Sequence, residues 1–288
     1  MTNRLLAHLR ALVGERHPHT AAASLLAAEE YLSDQFQRMG YEVERHAFEG
    51  MGGVYRNIVA ELPAAVRPSG PPLLVGAHYD TVPGSPGADD NASALAVLLE
   101  SASVLSREPM GRPIRWIAFC LEEEDLIGSR AYAAALKRAH EQLAGAIILE
   151  CVGYARSEAG TQMAPPHVPI AVPTVGNFLA VIGNQTALPL VGLLTEAGRQ
   201  TVSELPLIPL VVPGRGEQLP DTRRSDHAAF WDEGYPAIML TDTANFRNPH
   251  YHKSTDTIDT LNLEFVALVT RLVTDTARRW AAVERHDT

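Results

Sequence analysis

The stretch Gly76-Ala-His-Tyr-Asp80-Thr-Val-Pro-Gly-Ser-Pro-Gly-Ala-Asp89-Asp90-Asn91-Ala-Ser93 decides how this chain is read. An apolar run, Pro72-Leu-Leu-Val75, precedes it, and Ala94-Leu-Ala-Val-Leu-Leu-Glu100 follows it. That order predicts a buried strand, a Gly/Pro-rich loop and a helix. The loop gathers one histidine, three carboxylates and an amide where a strand ends, which is where open α/β sheets bind ligands. A histidine with a carboxylate two residues on suits a metal site, because the imidazole can bind a cation while the carboxylate fixes its other ring nitrogen.

Outward from this stretch, short apolar runs at 73–77, 114–120 and 146–149 are separated by helical patterns, the βαβ signature of a sheet covered on both faces. Further strands are expected at 41–48, 54–62, 178–182, 208–212 and 237–240. Helices are expected at 3–13, 19–39, 90–106, 127–139, 188–201 and 262–284. Residues 154–177 and 213–224 are rich in turn-forming residues and follow expected strands, so both are candidates to line a site. With no repeat and no low-complexity linker, the expectation is one domain over residues 1–288.

The bulk numbers narrow the function. Among 288 residues, 46% are hydrophobic and 20% charged, ordinary for a globular protein. The formal net charge of −10 argues against a nucleic-acid partner. No apolar run is long enough to span a membrane and no signal-peptide core is visible, so the expectation is a cytoplasmic protein or a mature fragment of a longer one. The two cysteines, Cys120 and Cys151, are too few for a disulfide framework and read as small buried residues.

More acids and histidines recur at strand ends. Ile114–Cys120 leads into Leu121-Glu122-Glu123-Glu124-Asp125, and the next strand ends at Glu150, a carboxylate that needs a cation or a proton if buried. Further on come Arg224-Ser225-Asp226-His227 and Asn248-Pro-His250-Tyr251-His252-Lys-Ser-Thr-Asp256-Thr257. Ser129 and Ser225 lack a Gly-x-Ser-x-Gly elbow, which speaks against a serine nucleophile. His17, His19 and His46 have no motif around them and read as surface residues, His250 as a rim or structural residue. Asp89 is expected to face the loop or the helix start.

Taken together, His78-Tyr-Asp80, Gly87-Ala-Asp-Asp90-Asn-Ala-Ser, Glu122-Glu123 with Gly128-Ser129, Ser225-Asp-His227, and Tyr251-His252 with Asp256-Thr257 resemble the M28 family of co-catalytic dizinc aminopeptidases, from about residue 20 to 280. The resemblance implies a three-layer α/β/α sandwich with a mixed, mostly parallel twisted sheet. It implies two zinc ions, one held by His78 and Glu150, the other by Glu123 and His252, with Asp90 bridging. Asp80 would orient His78, Glu122 would be the general acid/base, and Tyr251 would help stabilise the oxyanion. Asp226 and His227 would support the pocket by hydrogen bonds. The activity implied is hydrolysis of the N-terminal peptide bond of peptides. One departure stands out: Glu150 occupies a position where the family usually has Asp. Alternatives are a carboxypeptidase, for which Arg223, Arg224 and Lys253 are candidate carboxylate binders, or another amidohydrolase on the same dizinc centre, a single-zinc glutaminyl cyclase, and a non-catalytic binding module.

Overall fold

The computed structural model describes residues 1–282. Its helices and strands are, in chain order, α1 (Thr2–Leu12), α2 (Ala22–Arg38), β1 (Glu42–Gly50), β2 (Gly53–Glu61), β3 (Leu73–His78), α3 (Ala94–Leu105), β4 (Ile114–Phe119), α4 (Ile127–Arg138), β5 (Gly145–Glu150), β6 (Leu179–Asn184), α5 (Leu188–Thr201), β7 (Leu207–Val212), α6 (His227–Asp232), β8 (Ala237–Thr241) and α7 (Leu263–Ala281).

All eight strands join one sheet in the order β1-β2-β4-β3-β5-β8-β6-β7. The middle of the sheet, β4-β3-β5-β8, is parallel. The β1–β2 hairpin joins β4 antiparallel on one side, and β6 joins β8 antiparallel on the other before pairing in parallel with β7. Strands β3 and β5 are buried along their whole length, which accounts for their unbroken apolar sequences.

Side-chain alternation sorts the strands between two cores. Val75, Ala77, Trp116, Ile147 and Leu149 face the layer formed by α1, α2, α3, α5 and α7. Leu74, Ile117, Phe119 and Ile148 face the opposite layer, with Tyr132 and Leu136 of α4 and Phe230 and Trp231 of α6. The result is the expected α/β/α arrangement. Among the described residues, no helix is long and apolar enough to cross a membrane.

The expected elements recur with small shifts at their ends. The last two residues of the helix expected at 262–284 lie outside the described residues. The helix expected from residue 90 begins as a regular α-helix only at Ala94, because Ala88–Ser93 form a wide turn in which Asp90 and Asn91 have non-helical backbone angles. The peptide bond between Asp90 and Asn91 is cis. Helix α6 was not foreseen; its six residues are too few for periodicity to register. The long segment 154–177 is tied at its base by a bridge between Ala159 and Val175.

His17 departs from its reading as a surface residue. It is buried, with Nε2 3.3 Å from Glu124 and Nδ1 accepting the backbone N–H of Thr20 at 3.2 Å. His46 is half-buried, edge-on to the Tyr132 ring.

Candidate metal centre

The carboxyl ends of β3, β4, β5 and β8 lie side by side, and the loops leaving them carry the candidate residues. His78 ends β3 and is fully buried. Its Nδ1 donates to the backbone carbonyl of Asp80 at 3.2 Å, which leaves the lone pair on Nε2. The Asp80 carboxylate, 3.6 Å from the same nitrogen, accepts the backbone N–H groups of Glu122 and Glu123, both at 3.1 Å. Asp80 therefore joins the β3 loop to the acid run after β4.

That acid run is also fixed from behind. The Asn57 side chain accepts from the Cys120 N–H at 3.0 Å and donates to the Gly128 carbonyl at 2.9 Å. Gly128 has to be glycine, since a Cβ there would stand 2.0 Å from the Cys120 carbonyl oxygen.

Asp90 is placed by its neighbours. Gly87 opens the turn with φ of 62°, a conformation that glycine adopts without strain. The Asp256 carboxylate accepts the backbone N–H groups of Asp89, at 3.0 Å, and of Asp90, at 3.2 Å. Asn91 donates to the Leu149 carbonyl at 2.9 Å and accepts from the Cys151 N–H at 3.1 Å, bracketing Glu150 at the end of β5. Asp89 does more than face a loop: it is buried, accepting from the Gly153 N–H at 2.8 Å and from Asn248 Nδ2 at 2.7 Å.

The outcome is a cluster with two lobes. Asp90 Oδ1 lies 3.1 Å from His78 Nε2, and Asp90 Oδ2 lies 3.0 Å from His252 Nε2. Glu150 Oε2 stands 3.4 Å from the His78 nitrogen, and Glu123 Oε2 3.2 Å from the His252 nitrogen. Glu122 Oε2 is 3.8 Å from His78 Nε2. The Tyr251 ring stacks on the His252 ring at a centroid distance of 3.8 Å.

Buried acids held this close distort one another's ionisation. Burial, reinforced by Glu150 and Glu123, pushes Glu122 well above the usual carboxylate range. Burial and the neighbouring Asp90 push Glu123 up to about 8. Burial opposes a charge on His252, but Asp90 and Glu123 outweigh it and push the imidazole up to about 10. Burial would likewise raise Asp90, yet the two imidazoles hold it below the usual range. Such a cluster calls for positive charge.

The residues fit a metal ion on two observations. His78 Nε2, Asp90 Oδ1 and Glu123 Oε1 are buried without a hydrogen-bond partner, an expensive arrangement unless a cation completes it. Donor atoms of His78, Glu122 and Glu150 lie within 4.8 Å of one another, as do those of His78, Asp90 and Glu123. Imidazole and carboxylate donors in this mixture suit zinc and neighbouring divalent metals. Cys151, whose Sγ donates to Glu150 Oε1 at 3.3 Å, has its thiol pushed well up by burial. Both cysteines are buried and free, each immediately after a strand.

Beside the cluster is a pocket of about 80 Å³. Glu150 and Tyr251 form its wall toward the cluster, and Ile182, Leu210, Met239 and Phe246 give it an apolar interior. Both long segments contribute, 154–177 through Pro165, Pro166 and Val168, and 213–224 through Leu219, Asp221 and Thr222. Sequence reasoning missed the pins behind this wall. Gln162 Oε1 accepts from Arg247 Nε at 2.7 Å, and Gln162 Nε2 donates to Thr243 Oγ1 at 2.8 Å.

It also missed Arg16. This fully buried guanidinium donates to the carbonyls of Tyr79 at 2.7 Å, Pro86 at 3.1 Å, Gly87 at 3.2 Å, Gly14 at 2.7 Å and Leu12, clamping the loop between His78 and Asp90. No motif announces such contacts, since carbonyl groups leave no mark in a sequence.

Asp226 and His227 are both fully buried. Burial pushes the Asp226 carboxyl up to about 7, against the neighbouring His78 and Ser129, which favour its charged form. His227 Nε2 donates to the Thr222 carbonyl at 2.7 Å, and burial lowers the imidazole to about 4. His250, partly exposed, lies 3.0 Å from Thr255 Oγ1 through its Nδ1, away from the cluster.

Residues 57–277 match the family model of peptidase family M28. The chain belongs to that family. A relative, the uncharacterized protein YfbL of Escherichia coli K12, is 34% identical over 277 residues, covering 91% of this chain and 83% of its own length. Among solved structures, the LapA aminopeptidase of Legionella pneumophila superposes with a TM-score of 0.77 over 98% of this chain and 72% of its own, at 19% identity, a likeness of fold. BSAP, a zinc aminopeptidase of Bacillus subtilis, superposes with a TM-score of 0.61 at 25% identity, covering 83% of this chain and 53% of its own. The chain thus spans about half the length of BSAP. As an M28 member it is a metal-dependent peptidase.

Proposed function

We propose that this chain is an aminopeptidase with two zinc ions at the centre. The observation that carries the reading is Asp90, whose two carboxylate oxygens each face a different imidazole. In this reading His78 and Glu150 hold one ion, His252 and Glu123 the other, and Asp90 both. Residues 1–288 are read as a single catalytic domain.

When bound, such a pair of cations supplies Lewis acidity, polarising the scissile carbonyl and acidifying a water. The remaining roles fall to the chain. Glu122 Oε2 takes the proton of the attacking water and delivers it to the departing amine, a task suited to a carboxylate whose proton affinity is raised by burial. The Tyr251 hydroxyl donates to the oxygen that becomes negative in the tetrahedral intermediate. Asp80 keeps Glu122 and Glu123 in register through their N–H groups. The apolar interior of the pocket offers a surface against which the aliphatic part of the released residue's side chain packs. Zinc and the N-terminal direction of attack are supported by the name of the B. subtilis relative.

The test uses zinc-loaded protein with leucine anilide and its N-acetylated twin. Cleavage confined to the free amine, and abolished by a chelator, is the expected result. Cleavage of the blocked compound, or activity that survives chelation, would defeat the reading.

A further inference from the structure

We propose that Arg224 is the receptor for a carboxylate on the substrate, so that the enzyme favours peptides carrying an acid within reach of the pocket. This inference rests on the peptidase reading above and narrows its substrates. Of the three basic residues that could meet a substrate acid, the structure disposes of two. Arg223 is committed to Asp232, with Nη2 2.9 Å from both carboxylate oxygens. The Lys253 ammonium is exposed and donates to the Pro249 carbonyl at 2.6 Å. Arg224 alone among the pocket-lining residues carries a cation.

Its partners leave that charge available. Nη1 donates to the neutral amide oxygen of Asn245 at 2.8 Å, and Nη2 makes a long contact of 3.4 Å with the Tyr251 hydroxyl. Among the described residues, the carboxylate paired with it is Asp221, 3.6 Å away, and both side chains are partly open to solvent, a geometry in which an ion pair contributes little. The guanidinium therefore stands partly open to solvent in a pocket whose interior is apolar and whose wall also carries Asp221 and Glu150, next to the hydroxyl assigned to the oxyanion. A planar fork in that position matches a carboxylate through two N–H donors. That carboxylate has two possible sources, the free C-terminus of a dipeptide and an acidic side chain on the released residue.

Two matched substrate pairs separate the sources on zinc-loaded protein. Leucylglycine against leucylglycinamide varies the terminal carboxylate, and glutamyl against glutaminyl anilide varies the side chain. In at least one pair the acidic member is expected to exceed its neutral twin in kcat/KM by about tenfold or more, and the pair that does so identifies the source. Arg224→Gln is expected to bring that ratio to about one. Arg224→Lys, which keeps the charge without the fork, is expected to retain part of it and serves if the Gln variant does not fold. Ratios at or below one in both pairs, or a preference that survives Arg224→Gln, would overturn the proposal. The same pairs are also titrated by calorimetry into Glu122→Gln protein, with and without Arg224→Gln, so that no turnover is needed. Carboxylate-dependent binding without cleavage of any free-amine peptide would sink the aminopeptidase reading and leave Arg224 in its role. Binding indifferent to the carboxylate would sink the role of Arg224 whatever the turnover.

Discussion

Ser225 Oγ donates a hydrogen bond of 2.7 Å to Glu150 Oε2, the oxygen that faces His78. Both residues are buried, so this contact settles where the Glu150 carboxylate can point. Partners that orient a ligand in this way contribute about ten- to a hundredfold to metal affinity. Ser225→Ala is therefore expected to weaken zinc binding by about tenfold, measured by competition with a coloured chelator. Unchanged affinity would show that Glu150 needs no such guide, or is not a ligand.

Glu122 is assigned a proton-carrying role and no metal. Glu122→Gln removes the base while preserving size and burial, so kcat/KM on leucine anilide is expected to fall by at least about a hundredfold. Zinc content, counted by atomic absorption, is expected to stay at two ions per chain. A variant that lost zinc along with activity would move Glu122 among the ligands.

His227 gives the chain an acid-sensitive element outside the cluster. Burial lowers its pKa from the ordinary 6.5 to about 4. Above pH 6.5 it is neutral in the folded and unfolded states alike, and its contribution is fully present. As the pH falls from 6.5 to 4, the unfolded chain takes up a proton that the folded chain refuses, and stability declines. Below 4 this group adds no further loss. The shift corresponds to about 3 kcal/mol. Urea unfolding of chelator-treated protein across this range is expected to show a shallower pH dependence in His227→Gln than in the parent. Parallel slopes would rule out His227 as the source.

Among the described residues Arg16 has no acid in direct contact, and its work is to satisfy carbonyl oxygens around the loop that carries the cluster. Arg16→Met would strand those oxygens in the interior, at a cost of about 3 kcal/mol or more. Chemical denaturation measures this directly. A loss under about 1 kcal/mol would mean that the carbonyls find other donors, or water.

How far the sequence could be read depended on what kind of interaction placed each residue. The strands of the parallel centre were legible because burial on both faces demands unbroken apolar runs, as in Leu73–His78 and Gly145–Glu150. The residues of the candidate centre stood out because each follows such a run, and the structure brings His78, Asp90, Glu122, Glu123, Glu150 and His252 together. Residues that act through the backbone were not legible. Asp89, Asp256 and Asn57 each hold N–H or carbonyl groups of segments remote in sequence. His17 looked unremarkable because its burial comes from the approach of the acid run after β4, which its own neighbours do not encode. Helix α6 and the Gln162–Arg247 pin escaped for the same reason: tertiary contact, not local pattern, defines them.

The place of β8 in the sheet carries one more consequence, a matter of timing. This strand, late in the chain, slots between β5 and β6, and the segment that follows it delivers His252. A nascent chain folding as it leaves the ribosome holds a single imidazole among its acids until that insertion is made. On the reading proposed here, the partly synthesised protein is harmless to peptides around it, its own unfolded segments included, and cutting power arrives only once β8 is inserted and His252 is delivered.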